Sequence, residues 1–250
     1  KKAEEMGILG YEAYTILAEE AEEPVDVKQI TQQTINRLKG IDETATSLFH
    51  GMAKGKNVIL IQMESMQNFL IDLKIDGQEV TPHMNRLAHD HFYVPGFYQQ
   101  VGQGNTSDAE FVVNTSFYVP PRGAASGEYA GKSLPSMPKL FQSHGYDTAT
   151  FHTNIVEFWN RGELYRALGF DRYYDQEFFG EEDKLFFGSS DELLYRKTAE
   201  ELARMNEAGQ PFYAHVISMS AHHPFTIPEE KYKMELPERY EHTLVGDYIR

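Results

Sequence analysis

The sequence predicts an α/β fold in which helices flank a parallel β-sheet, with a helical arm at the N-terminus. Three short runs of residues, 58–63, 147–151 and 211–219, are predicted to be buried strands of such a sheet, and the first of them is nearly continuously apolar. Each run is followed by polar residues, and helical patterns separate the runs along the chain. Because parallel strands end at the same edge of a sheet, we expect these polar residues to share one crevice.

The composition is that of a folded, acidic protein. With 250 residues, 41% of them hydrophobic, the chain is long enough for one large α/β domain with a short appendage. A formal net charge of −15 argues against nucleic acid or an anionic membrane surface as a broad docking partner. Because the chain has no cysteine, disulfides and thiolate metal sites are excluded.

Residues 1–55 are predicted to form a helical linker or arm, and residues 56–250 the main domain. A loose apolar stripe predicts a first helix near residues 8–17, and Pro24 is expected to start a second helix that ends at Gly40. No apolar run approaches the roughly 18 residues that a membrane helix needs. The last residues resemble the middle of a helix, so we expect the chain to be truncated at its C-terminus.

The first buried strand, residues 58–63, ends on Glu64. In open α/β sheets, ligands bind outside the carboxyl ends of the strands. Glu64 therefore has two interpretations, a ligand carboxylate or a partner of a helix N-terminus. Further along, Thr81 and Pro82 predict the start of a short helix, and residues 92–98 predict an aromatic strand.

A glycine-bracketed loop at residues 102–105 leads directly into Thr106 and Ser107. Ser107 and Glu110 have the spacing of a capping box, so we expect the next helix to begin at Ser107. The N–H groups and the positive dipole end of that helix would then lie beside Thr106. A threonine hydroxyl becomes a nucleophile only with help from a metal or an adjacent base.

The second and third buried strands also end on polar residues. The strand at 147–151 leads to His152, and a following helix carries Trp159 and Arg161, which could clamp an anionic or polyol ligand. An amphipathic helix over residues 190–208 precedes the third strand, whose end supplies Ser220 and His222.

These patterns predict one site, formed by six residues: Glu64, Thr106, His152, Trp159, Arg161 and His222. A carboxylate and a threonine oxygen are hard ligands that suit Mn²⁺ or Mg²⁺. Such an ion would lower the pKa of the Thr106 hydroxyl and make it a nucleophile. Two protein ligands do not complete a metal site, so at least one more carboxylate or histidine is needed.

The motifs resemble those of lipoteichoic acid synthases, in their extracellular catalytic domain, which are members of the alkaline phosphatase/sulfatase superfamily. The resemblance follows the family's order along roughly the whole chain, and it is most specific in the threonine and Trp-Asn-Arg motifs. The matching segments are residues 57–65, 75–82, 102–111, 151–152, 158–161 and 220–225.

The resemblance implies a sulfatase-like catalytic domain and a role for each residue. Thr106 matches the nucleophile that takes glycerophosphate from phosphatidylglycerol as a phosphothreonine, and Glu64 matches a manganese ligand. Three residues match those that hold the glycerophosphate group: Trp159, Arg161 and His222. His152 lies near them in the family pattern. The cofactor implied is Mn²⁺, with Mg²⁺ as the alternative.

The resemblance also implies partners and a location. They are phosphatidylglycerol, a growing glycerophosphate polymer and the outer face of the cell membrane, where the catalytic domain could also be released into the cell wall or medium. An Asp-His pair that completes the metal site is expected beyond residue 250, and membrane helices before residue 1. Four alternatives stay open: a primase, a phosphoethanolamine transferase, a phosphodiesterase, and a non-catalytic module that binds glycerophosphate polymer.

Overall fold

A computed structural model describes residues 6–7, 10, 31–41 and 48–250. The chain divides into two compact units, residues 1–54 and residues 55–250. In the first unit, helix α1 (Gln32–Lys39) starts where the Thr31 hydroxyl accepts a hydrogen bond from the Thr34 N–H, and it ends at a left-handed Gly40. The predicted end at Gly40 is therefore confirmed. The predicted start at Pro24, and most of the predicted helix near residues 8–17, lie outside the described residues.

The second unit contains a four-stranded parallel sheet and a short antiparallel hairpin. The strands, in chain order, are β1 (Val58–Gln62), β2 (Lys74–Ile75), β3 (Gln78–Glu79), β4 (Asp147–His152), β5 (Arg172–Tyr174) and β6 (Phe212–Ile217). The parallel sheet has the order β1-β6-β4-β5, whereas β2 and β3 form the hairpin. The predicted α/β fold with a parallel sheet is confirmed.

Helices connect the strands. They are α2 (Pro82–Asp90), α3 (Asn105–Thr115), α4 (Ala125–Glu128), α5 (Met137–Ser143), α6 (Arg161–Leu168), α7 (Gln176–Phe179), α8 (Asp191–Glu207) and α9 (Leu244–Ile249). Short 3₁₀ turns lie at Asn68–Leu70, Phe158–Asn160, Glu229–Lys231 and Glu238–Tyr240. The helix predicted over 190–208 is confirmed, with the Ser190 hydroxyl accepting a hydrogen bond from the Leu193 N–H at 3.3 Å.

The central strand β6 has a hydrophobic cluster on each side because its side chains alternate between the two faces. Phe212, Ala214 and Val216 pack in a buried cluster with residues of β4 and α8. On the opposite face, the Tyr213 ring stacks on Phe141 of α5 with 4.8 Å between centroids. The Tyr213 hydroxyl also donates to Asn114 of α3 at 2.9 Å. Helices thus cover both faces of β6, and the sheet's geometry is fixed by buried contacts on either side.

Two strand predictions are wrong. The run at 58–63 does form β1, but among the described strands this is an edge strand and not a central one, and its two side chains on one face, Ile59 and Ile61, are 51% and 48% exposed. Residues 92–98 form no strand, and Phe92 and Tyr98 are exposed. Pro95 lacks the N–H that a strand interior needs, and no described strand offers this segment a partner.

One capping prediction also needs correction. Thr81 precedes α2 as expected, but its hydroxyl donates to the Leu70 carbonyl and Asn85 instead of capping the helix. At the start of α5, by contrast, the Ser136 hydroxyl accepts a hydrogen bond from the Lys139 N–H at 3.4 Å and acts as the cap.

Candidate active site

All six residues predicted for the site line one pocket with an empty volume of about 270 Å³. The pocket lies at the carboxyl ends of β1, β4 and β6, where the alternating strand–helix pattern predicts a crevice. Four residues outside the predicted set complete its lining: Asn154, Phe158, Phe187 and Met219.

Glu64 and Thr106 are in direct contact. The Thr106 hydroxyl donates to Glu64 Oε2 at 3.2 Å, and Ser65 Oγ donates to the other carboxylate oxygen at 2.8 Å. The Glu64 N–H donates to Ser218 Oγ beyond β6 at 2.8 Å, and Gln62 Nε2 donates to the Thr106 carbonyl at 3.2 Å. The end of β1 is thereby held to both the β6 terminus and the start of α3.

The start of α3 differs from the prediction. The helix begins at Asn105 with Gly104 as its N-cap, so Thr106 lies in the first turn and Ser107 is already inside the helix. The Ser107 hydroxyl donates to the Gly104 carbonyl at 3.0 Å, and Glu110 pairs with a distant arginine. The capping box is therefore wrong, because the Ser107 hydroxyl bonds the Gly104 carbonyl and lies 3.2 Å from Ser126 Oγ, while Glu110 pairs with Arg161.

Asp108 holds the glycine loop that precedes Thr106. Its buried carboxylate accepts hydrogen bonds from the N–H groups of Gly102 at 3.0 Å, Gly104 at 2.9 Å and Ala125 at 2.8 Å. A carboxylate shared by three backbone donors fixes the loop more firmly than water could, since charge-assisted bonds are the strong ones.

Arg161, the first residue of α6, forms a buried ion pair with Glu110 of α3. Nε and Nη2 both donate to Glu110 Oε1 at 2.9 Å, and the Tyr165 hydroxyl donates to Oε2 at 2.7 Å. Burial opposes the charged form, but the Glu110 carboxylate outweighs it and raises the pKa of the Arg161 guanidinium. Burial and the Glu110 charge also raise the pKa of Tyr165, which keeps its hydroxyl a donor.

His152, the last residue of β4, is neutral at physiological pH. Burial, reinforced by the positive charge of Arg161, lowers the pKa of His152 to about 3. Its Nδ1 lies 3.0 Å from the Ile217 carbonyl, which can only accept, so Nδ1 carries the proton. Nε2 is then unprotonated, and His152 can offer the pocket an acceptor but no charge.

The other side of the pocket is aromatic. The His222 ring meets the Phe187 ring edge-on with 4.7 Å between centroids, and its Nδ1 donates to the His223 carbonyl at 2.6 Å. Trp159 and Asn160 both have left-handed backbones, with φ of 60° and 52°. Such conformations cost a non-glycine residue roughly 1–3 kcal/mol and cluster at functional sites.

The donor chemistry of Glu64 and Thr106 fits two ligands of a hard divalent cation, since both oxygens lie within hydrogen-bond distance of each other. Within the described part of the chain, no group of three or more His, Cys, Asp or Glu residues could hold a metal ion. The described residues thus supply a pair of oxygen ligands and not a complete metal site.

Besides the four additional lining residues, sequence reasoning missed the roles of two buried carboxylates, Asp108 and Glu110. Glu110 stands in an apolar segment, between Ala109 and Phe111, which is a signal that an acidic side chain is buried and needs a partner. Its partner lies 51 positions away, and nothing local identifies it.

In residues 6–7, 10, 31–41 and 48–250, no helix is long and apolar enough to cross a membrane.

Comparisons with known proteins agree with this architecture. The sulfatase family profile matches residues 56–243. Lipoteichoic acid synthase 2 of Bacillus subtilis (strain 168) is 40% identical over 197 residues, which are 78% of this chain and 30% of that protein. Lipoteichoic acid synthase of Staphylococcus aureus (strain USA300) is 37% identical over 210 residues, 81% of this chain and 32% of that protein.

A solved structure gives the same result. The lipoteichoic acid synthase LtaP from Listeria monocytogenes superposes with a TM-score of 0.85 at 42% identity, over 88% of this chain and 54% of that chain. The chain therefore spans about a third of the length of these curated relatives and about half of the solved structure. The resemblance drawn from the motifs is confirmed: the chain is similar to lipoteichoic acid synthases and belongs to the sulfatase family.

Proposed function

We propose that this chain carries the nucleophile half of a metal-dependent phosphoglycerol transferase at the outer face of the cell membrane. It moves glycerophosphate from phosphatidylglycerol onto a growing lipoteichoic acid chain through a phosphothreonine at Thr106. The observation that carries the proposal is the contact between the Thr106 hydroxyl and Glu64 in a pocket that Arg161 also lines. The names of the relatives, lipoteichoic acid synthases, support lipoteichoic acid as the product.

The reaction is a two-step displacement at phosphorus. Thr106 Oγ forms a bond to phosphorus, the bond to the diacylglycerol oxygen breaks, and diacylglycerol leaves with a proton. The terminal hydroxyl of the polymer then attacks the same phosphorus, and Thr106 Oγ is released as a hydroxyl. Glu64 Oε2 accepts the Thr106 hydrogen bond, which leaves an oxygen lone pair free to face phosphorus.

The pocket's own charges support the requirement for a metal. Arg161 brings one positive charge, but Glu110 neutralises it at 2.9 Å, and Glu64 adds a negative charge. With His152 neutral, an anionic phosphodiester would meet no net positive charge from these groups. Mn²⁺, with Mg²⁺ as the alternative, would be held by Glu64 and Thr106 and would lower the pKa of the Thr106 hydroxyl.

The test compares two neighbouring hydroxyls in the full-length protein. Thr106→Ala should lower transfer of labelled glycerophosphate from phosphatidylglycerol by about a thousandfold or more, because the nucleophile is removed. Ser107→Ala removes the next hydroxyl along the chain and should retain most of the activity. Polymer synthesis by Thr106→Ala at the wild-type rate would contradict the proposal.

A second candidate is a non-catalytic module that binds glycerophosphate polymer, which is favoured by the incomplete set of metal ligands in the described residues. Titration of this chain with Mn²⁺ separates the two, because a tight site together with transfer to Thr106 excludes a binding-only role. Mass spectrometry of the lipid products separates a polymerase from a primase, a phosphoethanolamine transferase and a phosphodiesterase.

A further inference from the structure

The buried ion pair joins the two sides of the pocket. Glu110 lies one helical turn after Thr106 on α3, and Arg161 opens α6 on the other side. Both side chains are almost completely buried, at 0% and 2% exposure. A rigid link of this kind transmits the position of the Thr106 helix directly to the guanidinium.

The hydrogen bonds of Arg161 leave one edge of its guanidinium available. Nε and Nη2 each give an N–H to Glu110 on the side edge, and Nη1 gives one to the Phe158 carbonyl at 3.4 Å. The remaining N–H groups, one on Nη1 and one on Nη2, lie side by side at the end of the planar group. That end forms the fork that matches two oxygens of a phosphoryl group.

We propose that Glu110 is a positioning residue for phosphoryl transfer: it fixes the guanidinium of Arg161 so that its end edge meets the phosphoryl oxygens in line with Thr106. The inference rests on the proposed function of the same pocket. Tyr165 is the second support, because its hydroxyl occupies the other Glu110 oxygen and prevents the carboxylate from rotating.

Stability alone does not account for the pair. A buried ion pair is often no more stabilising than apolar residues of the same volume, since both charges lose their hydration. If Glu110 positions Arg161, its loss should misorient the guanidinium. Because this orientation matters most in the transition state, kcat should fall more than the affinity for substrate.

The experiment replaces Glu110 by glutamine, which keeps the shape and removes the charge, in the full-length protein. With phosphatidylglycerol vesicles, we expect kcat to fall by about 10- to 100-fold while KM changes by less than about threefold. Binding of sn-glycerol-1-phosphate, followed by ³¹P NMR, should also change by less than about threefold. Glu163→Gln, which breaks the exposed pair with Arg166 on the same helix, is the matched control and should leave all three quantities unchanged.

Two further variants keep the test decisive. If Glu110→Gln fails to fold, Tyr165→Phe removes only the hydroxyl on Oε2, and we expect a kcat about threefold lower at unchanged KM. In an Arg161→Lys background, Glu110→Gln should cost nothing further, since residues that act through one another are not additive. The inference would be overturned if Glu110→Gln and Tyr165→Phe both kept the wild-type kcat, or if kcat and the affinity for sn-glycerol-1-phosphate fell equally. It would also be overturned if Glu110→Gln lowered kcat as much in the Arg161→Lys background as in the wild type.

The guanidinium itself provides a readout that does not depend on transfer. In ¹⁵N NMR, the Arg161 Nε–H should be protected from exchange in the wild type and exposed in Glu110→Gln. On addition of sn-glycerol-1-phosphate, the Nη signals should shift and the Nε signal should stay. If the wild type transfers no glycerophosphate yet shows this pattern, the proposed function fails and the positioning geometry stands. A shift of Nε alone would contradict the geometry.

Discussion

The Thr106 hydroxyl donates to Glu64 Oε2 at 3.2 Å, and the Glu64 N–H donates to Ser218 Oγ at 2.8 Å. The backbone of Glu64 is thus anchored at the ends of two neighbouring strands, and its carboxylate extends from there to the hydroxyl. This is the preorganisation that a catalytic oxygen pair needs, because its geometry does not have to be formed during the reaction.

The variant Glu64→Gln should show whether the Glu64 carboxylate binds a metal ion or only supports the local structure. The amide still accepts a hydrogen bond from Thr106 but no longer carries the charge that binds a divalent cation. We expect Mn²⁺ affinity, measured by calorimetry, to fall about tenfold or more, and transfer to fall about a hundredfold. Ser65→Ala, which removes only the donor to Oε1, should have a much smaller effect on both. Unchanged Mn²⁺ affinity in Glu64→Gln would exclude a metal-ligand role.

Gly104→Ala should destabilise the loop that presents Thr106. A Cβ at Gly104 would overlap the Asp108 carboxylate and approach Ala124 Cβ to 2.9 Å. We expect the free energy of unfolding in urea to fall by about 1–3 kcal/mol, the usual cost of overpacking, and transfer to fall with it. Gly127→Ala, at a position with nothing within 4 Å, is the control and should be neutral or slightly stabilising. If the two variants were equally stable, the loop would have to accommodate the added Cβ at Gly104 without cost, and the predicted overpacking would be wrong.

Trp159→Gly should reduce binding without reducing stability. The left-handed backbone at Trp159, with φ of 60°, is strained for tryptophan and relaxed for glycine. We expect the free energy of unfolding to change by less than about 1 kcal/mol and KM for phosphatidylglycerol to rise about tenfold. Asn160→Gly, the neighbouring left-handed position, should keep a KM near the wild type. A large loss of stability in Trp159→Gly would indicate a core tryptophan instead of a ligand contact.

Acid should destabilise the fold through its buried histidines. Burial, together with the charge of Arg161, lowers the pKa of His215 to about 3, whereas the unfolded ring titrates near 6.5. Between these values the unfolded state binds more protons, so the free energy of unfolding falls as pH falls, by up to about 1.4 kcal/mol per pH unit for this ring.

Urea unfolding of His215→Gln measures this contribution. The variant should lose about 2 kcal/mol less than the wild type between pH 6.5 and pH 4.5, although it starts from a lower stability. His144→Gln, at an exposed position, should follow the wild type. Parallel curves for wild type and His215→Gln would show that His215 does not titrate with folding.

The sheet and the position of the pocket could be predicted from the sequence because both depend on local patterns. The strands predicted at 147–151 and 211–219 form as β4 and β6, and polar residues at their ends mark the ligand edge. Residues 58–63 specify a strand equally well, but the burial of the β1 side chains depends on which segment packs against the faces of the strand. The hydrophobic pattern of a single strand does not identify that segment.

The remainder of the site depends on the partners of two buried carboxylates, Asp108 and Glu110. Ser107 has the local signature of a helix cap, but Asp108 reaches back to Gly102 and Gly104 and moves the helix start to Asn105. Glu110 has the local signature of a capping partner and instead bonds Arg161. In both cases a buried carboxylate forms hydrogen bonds with other parts of the fold. These charge-assisted bonds stabilise the protein more than a helix cap, which contributes about 1 kcal/mol.

Formation of the phosphothreonine is measured most directly by mass spectrometry of the full-length protein after brief incubation with phosphatidylglycerol and Mn²⁺, followed by acid quench and peptide fragmentation. We expect a glycerophosphoryl group on Thr106 that disappears when acceptor polymer is added and never forms in Thr106→Ala. If the group appears on Ser107, or if a protein that never carries the group turns over at the full rate, Thr106 is not the nucleophile.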